Sequence, residues 1–142
     1  MRVVLDANVL ISAAISHGPS HRIVHAWLTD KPFELVICDR LIGEVRSVLT
    51  ERPRLRKWIR LEAAELYIAR LATTAKVRPD PPPGPALSRD PDDDYVIHLA
   101  RQHGADFIVT GDADLLEWPG QDPPVVPPAS FEEHLKQQRP SS

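Results

Sequence analysis

The chain has a single cysteine, Cys38, in 142 residues. That excludes a disulfide framework and any cysteine-based zinc site within one chain, and it points to a reducing compartment. Long apolar runs are missing too, since nothing approaches the ~20 residues that a membrane helix needs. The opening "MRVVLDANVLISAAIS" starts like a leader peptide, but Asp6 and Asn8 interrupt its apolar stretch too early. A cytoplasmic location is therefore expected. There is no basic surplus either: the formal net charge is −3, which taken alone counts against a nucleic-acid partner. The objection lapses if acids gather around divalent cations, because two such ions would more than cancel the deficit. Also absent are the phosphate-cradling glycine loop, the dinucleotide fingerprint, the serine-hydrolase elbow and any internal repeat.

What is present suits one soluble globular domain, with 42% apolar and 26% charged residues. Short β-branched runs, "RVVL" (2–5), "FELVIC" (33–38), "AKVR" (75–78), "DFIVT" (106–110) and "VV" (125–126), predict strands mostly buried on both faces. Between them the helical period recurs from Val9 to Ile15, Ile23 to Leu28, Leu41 to Leu49, Leu61 to Leu71 and Val96 to Ala100. This alternation predicts an α/β fold with parallel strands and helices on both faces. "RPDPPPGPALSRDP" (78–91) can be neither helix nor central strand and reads as a stiff surface loop. The terminal "KQQRPSS" reads as disordered, so a folded domain is placed at 1–137 and a tail at 138–142.

The chemistry lies in the carboxylates. "RDPDDDYVIHLA" carries acids at 90, 92, 93 and 94. Asp90, Asp92 and Asp94 match the first positions of a calcium-binding EF-hand loop, but Tyr95 stands where glycine is needed and Arg101 where glutamate is needed. Helix capping, with Asp90 as N-cap and Pro91 first in the helix, accounts for one or two of these acids and poorly for four. Asp93 precedes Val96, Ile97 and Ala100 by three, four and seven residues, so it projects along the face to be buried. Asp6 directly follows a buried strand, Asp112 follows another after Thr110 and Gly111, and Asp114 is two residues on. Caps or turns would account for each alone. Glu44 shares a helical stripe with Leu41, Val45 and Val48, where a glutamate ordinarily snorkels to water. Jointly these acids end two strands and begin or line two helices that one fold can bring together at the carboxyl edge of a parallel sheet. Carboxylates so close raise one another's pKa and need a cation among them. Oxygen-only ligands favour magnesium or manganese, and such ions serve displacement at phosphorus.

With these residues assembled, the chain resembles a PIN-domain ribonuclease of the kind found as the toxin of toxin–antitoxin pairs. The resemblance rests on "VVLDANVLISA", "LIGEVRSVL" and "DPDDDYVIHLARQHGADFIVTGDADLL", in that order, and covers residues 2 to about 135. It implies a three-layer α/β/α sandwich around a parallel sheet of four or five strands. It implies metal-dependent endonucleolytic cleavage of RNA by water, leaving a 5′-phosphate and a 3′-hydroxyl. Carried over position by position, it assigns Asp6, Glu44, Asp93 and Asp112 as catalytic, metal-holding acids, with Asp94 and Asp114 as further candidates and Asn8 and Thr110 as supporting hydrogen-bonding groups. Magnesium or manganese is the implied cofactor. RNA, a cognate antitoxin and a second copy of the chain are the implied partners.

"ERPRLRKWIR" offers Arg52, Arg54, Arg56, Lys57 and Arg60 around Trp58 as a candidate RNA-binding surface. The commoner arrangement is a solvated corner with Trp58 turned into the core, and that is the expectation. "HRIVH" places His21 and His25 on one helical face, but without a neighbouring third ligand it makes a poor zinc site. A phosphoacceptor domain would need a lysine after a later strand, where "DFIVTGDADLL" offers only acids. A non-catalytic module that retains the acids to grip RNA or protein is the other reading.

Overall fold

The computed structural model describes residues 1–88 and 90–138, with Pro91 by its backbone alone. Strand β1 (Arg2–Leu5) lies between β2 (Glu34–Leu35) and β5 (Phe107–Val109), and β6 (Val125–Val126) pairs with β5, so the order is β2-β1-β5-β6. Every pairing is parallel, with Val3 opposite Leu35 and Phe107, and Val109 opposite Val126. The predicted 33–38 strand is split at Val36, whose N–H donates to the Val3 carbonyl at 2.9 Å. Beyond the break, β3 (Ile37–Cys38) pairs in parallel with β4 (Val77–Arg78) as a separate two-stranded sheet. Val3, Val4, Leu5, Ile108 and Val109 are wholly buried, as their unalternating apolar pattern requires. Each such side chain contributes roughly 1.5–3 kcal/mol by leaving water.

Helices α1 (Ala7–Ile15), α2 (Pro19–Thr29), α3 (Asp39–Glu51), α4 (Leu61–Thr74) and α5 (Pro91–Gln102) match the predicted periodic segments. Helices α3 and α4 pack on each other through the stripes Leu41, Val45, Leu49 and Ala64, Ile68, Leu71. Local chemistry sets the ends of α5. Asp90 caps its start by accepting from the Asp92 N–H at 3.0 Å. At its other end Gly104 takes φ 62°, a left-handed conformation that costs glycine little, and the Ala105 N–H returns to the Ala100 carbonyl at 2.8 Å.

Two helices go beyond the sequence reading, α6 (Ala113–Leu116) and α7 (Pro128–Gln138). Helix α7 packs on α2, burying Phe131 and Leu135, with the Phe131 ring edge-on to Phe33 at 5.5 Å. Lys136–Gln138 close α7, and the rest of the expected tail, residues 139–142, lies outside the described residues. No described helix is long and apolar enough to cross a membrane.

Candidate active site

The chain leaves β1 toward β2 on one side of the sheet, while β5 flanks β1 on the other. The carboxyl ends of β1 and β5 thus bound the crevice where parallel α/β sheets bind ligands. Asp6 stands at the end of β1, its N–H donating to the Val109 carbonyl at 2.9 Å. It is 6% exposed and caps α1 by accepting from the Ala7 N–H at 2.8 Å through Oδ1. Its Oδ2 accepts from the Thr110 hydroxyl at 2.8 Å and the Asn8 amide at 3.2 Å. Thr110 Oγ1 also accepts from the Asn8 amide at 3.1 Å and the Asp112 N–H at 3.0 Å, while Asn8 Oδ1 accepts from the Gly111 N–H at 3.0 Å. A closed polar network therefore ties the two strand ends together. Asp112 in turn caps α6, accepting from the Asp114 N–H at 2.9 Å.

Asp93 comes to this network from the first turn of α5. Burial raises its pKa first, then close contact with the Asp112 carboxyl and the charges of Asp112, Asp6 and Asp90, and together they push it up to about 7. Its Oδ2 is buried without a hydrogen-bond partner, an arrangement that costs free energy and calls for explanation. Carboxylate oxygens of Asp90, Asp93 and Asp114 also lie within 4.8 Å of one another, a spacing able to hold a metal ion. Burial raises Asp6 as well, helped by Asp112 and opposed by the hydrogen bonds from Thr110, Ala7 and Asn8.

Glu44 approaches from α3. It is half-buried, and desolvation raises its pKa, with Asp6 adding to the rise and Tyr95 and Arg40 opposing it. Its Oε1 is 3.6 Å from Arg40 Nε, one helical turn away. The buried Tyr95 hydroxyl faces it without closing a well-formed hydrogen bond. Asp6 thus lies within electrostatic reach of Glu44, Asp93 and Asp112, and Asp93 of Asp112.

Asp94 does something else. It is buried, and its Oδ1 accepts from the Ser88 N–H at 2.8 Å and the Ser88 hydroxyl at 2.6 Å. Burial opposes its ionisation, but these bonds prevail and hold its pKa below the ordinary carboxylate value. Its task is to fasten the proline-rich loop.

Three residues beside these acids are not among the acids expected from sequence: Asp90, expected there as the cap of α5, together with Arg40 and Tyr95. Spacing carried a signal in two of these cases, because Asp90 lies three residues before Asp93 and Arg40 four before Glu44. The expectation for Trp58 is overturned. The 3-10 turn Pro53–Lys57 buries Leu55 instead and leaves Trp58 64% exposed. Arg56 donates to the Leu49 carbonyl near the end of α3, whereas Arg52, Arg54, Lys57 and Arg60 are exposed. His21 and His25 stack at 6.2 Å, and His21 Nδ1 pairs with the Ala13 carbonyl at 3.0 Å.

Residues 2–114, with every acid of this cluster among them, match the PIN domain. The chain belongs to the PIN-domain family. PIN domains are generally metal-dependent nucleases, and the acid cluster is the feature of this chain that fits such activity. An uncharacterized protein of Methanocaldococcus jannaschii is 29% identical over 123 residues, spanning 82% of this chain and 74% of its own. The crystal structure of PAE2754 from Pyrobaculum aerophilum shares the fold, with a TM-score of 0.58 over 97% of this PIN-domain chain and 91% of that chain at 20% identity.

Proposed function

We propose that this PIN domain is a magnesium- or manganese-dependent endoribonuclease, with Asp6, Glu44, Asp93 and Asp112 as its working acids and Asp90 and Asp114 beside them. The observation that carries this reading is Asp93, a carboxyl with one buried, unbonded oxygen set among other carboxyls. Such an atom suits a hard cation, and an all-carboxylate donor set favours magnesium or manganese over softer metals. When bound, the metal would stabilise charge on a phosphodiester and ease ionisation of water. The remaining work belongs to the chain. Thr110 and Asn8 fix the orientation of Asp6, the Asp114 N–H fixes Asp112, and Asp93 Oδ2 would hold a proton while no cation is present. Asp94 is left out of the set because Ser88 claims its Oδ1.

RNA as substrate draws support from the exposed Trp58 among Arg52, Arg54, Lys57 and Arg60, an indole able to stack on a base beside cations able to track phosphates. Arg56 serves there as a brace. A toxin role, with a cognate antitoxin and a homodimeric form, completes the reading. It follows from the resemblance of the motifs, and growth arrest on expression, relieved by a small neighbouring gene product, would test it.

Cleavage of a single-stranded RNA is measured with magnesium, with manganese and with chelator, beside an Asp6→Asn protein of matching circular dichroism. Metal-dependent cleavage lost in the variant is the expected result. Equal cleavage by both proteins would assign the activity to a contaminant. Metal-independent binding without cleavage would favour the non-catalytic module.

A further inference from the structure

A groove of about 470 Å³ opens between α1 and α3, lined by Ala7, Ile11, Arg40, Gly43, Glu44 and Val48 among others. Its volume suits a small organic ligand of nucleotide size. Glu44 belongs both to this groove and to the acid cluster, so the two are continuous. Gly43 is the informative residue. Glycine weakens a helix interior relative to alanine, and it is normally found there because something packs too close for a side chain. Here a Cβ would meet nothing within 4 Å and no left-handed backbone angle requires glycine, so neither packing nor conformation explains it. What it leaves is open space beside the acids.

Arg40 gives that space a chemical character. Its guanidinium lies over the Tyr95 ring, 4.0 Å from the centroid, and its ion pairs with Glu44 and Asp92 are 3.6 and 3.7 Å long. Both exceed a charge-assisted hydrogen bond. The side chain is 43% exposed, so N–H donors are available to an incoming anion. A stacked, partly free guanidinium matches phosphate in geometry as well as charge. Apolar Ile11 and Val48 with small Ala7 and Gly43 make a wall for a flat, uncharged ring.

We propose that this groove seats a nucleotide flanking the scissile phosphate of single-stranded RNA, with Arg40 as a phosphate contact. The proposal rests on the nuclease reading above and deepens it. Gly43→Phe and Gly43→Gln project into the groove, Gly43→Ala barely does, and Arg40→Gln removes the charge. Thermal melts should place all three Gly43 variants at or above wild type. Two readouts follow. The first is the ratio of kcat/KM for a single-stranded oligoribonucleotide to that for bis(p-nitrophenyl) phosphate, a diester too small to need the groove. It should fall roughly tenfold or more in Gly43→Phe and Gly43→Gln. The second is binding of a labelled oligouridylate by anisotropy in an Asp93→Asn background. Gly43→Phe should weaken it to a similar degree, and Arg40→Gln should lower the salt slope by about 0.7.

An unchanged ratio and unchanged binding in folded Gly43 variants would overturn the groove while leaving the nuclease reading intact. If wild type cleaves neither substrate yet binding falls as stated, the groove stands and the nuclease reading fails. A salt slope unmoved by Arg40→Gln makes Arg40 a counter-ion for Glu44 and Asp92 and removes it from the proposal.

Discussion

The Thr110 hydroxyl donates to Asp6 Oδ2 across 2.8 Å, joining the carboxyl ends of β1 and β5 through two side chains 104 residues apart. Thr110 is wholly buried, and the same oxygen accepts from the Asp112 N–H. Replacing it with valine keeps the shape and strips partners from both aspartates. The expected cost is about 1–3 kcal/mol, read as a shift of the urea midpoint. Because that hydroxyl holds the Asp6 pKa down against burial, its loss should also move the acidic limb of the activity profile to higher pH. Thr110→Ser should restore both. A valine protein with wild-type midpoint and profile would show the bond to be idle.

Asp93 predicts a conflict between stability and activity. Its pKa in the folded chain, about 7, stands above the ordinary 3.8. The folded state therefore binds the proton more tightly than the unfolded one. The stabilisation is complete below about pH 4 and is lost as pH rises through 7. In chelator, Asp93→Asn should match wild type near pH 4 and melt higher near pH 7.5. The gain should be on the order of 1 kcal/mol after discounting for a group partly open to solvent. The same variant should be inactive. A melting difference that does not grow with pH would show that the repulsion is not felt.

Asp94, one residue along, should behave oppositely. Its carboxylate anchors Ser88 and with it a loop held at two further points, Asp80 Oδ1 to the Arg40 N–H at 2.8 Å and the Pro85 carbonyl to His98 Nε2 at 3.1 Å. Its pKa is lowered on folding, so its stabilisation is present above the unfolded pKa and disappears as pH falls through the folded one. Asp94→Ala should cost about 1–3 kcal/mol at pH 7 and quicken proteolysis within 79–88, while metal-dependent cleavage persists. Complete inactivation of a stably folded Asp94→Ala protein would place this residue among the working acids.

These contrasts mark where sequence was informative. Strands β1 and β5 were legible because β-branched runs buried on both faces leave little else to predict, and Asp6 and Asp112 followed from standing at their ends. The direction of Asp93 followed from helical period. The division of labour between Asp93 and Asp94 did not, because it depends on Ser88 reaching back from an irregular loop whose path no periodicity encodes. Helix α7 escaped because its buried face rests on Phe131 and Leu135 alone, too few apolar positions to set a helical period, although Pro128 suits a first helical turn. Composition pulls Trp58 inward, yet the turn at Pro53–Lys57 spends its one buried position on Leu55.

That last placement makes Trp58 a clean probe of substrate contact. An indole 64% exposed adds little to the core, so Trp58→Ala should leave the melting temperature within a degree or two of wild type. Stacking on a base is worth about 1–3 kcal/mol, so the dissociation constant for single-stranded RNA should rise roughly 5- to 150-fold. Trp58→Phe should recover much of the loss, because a smaller aromatic face still stacks, whereas Trp58→Leu keeps apolar area without a π-face and should not. Anisotropy with a labelled oligoribonucleotide separates the cases. If leucine restores binding as well as phenylalanine does, the surface is a hydrophobic contact for a protein rather than a platform for bases.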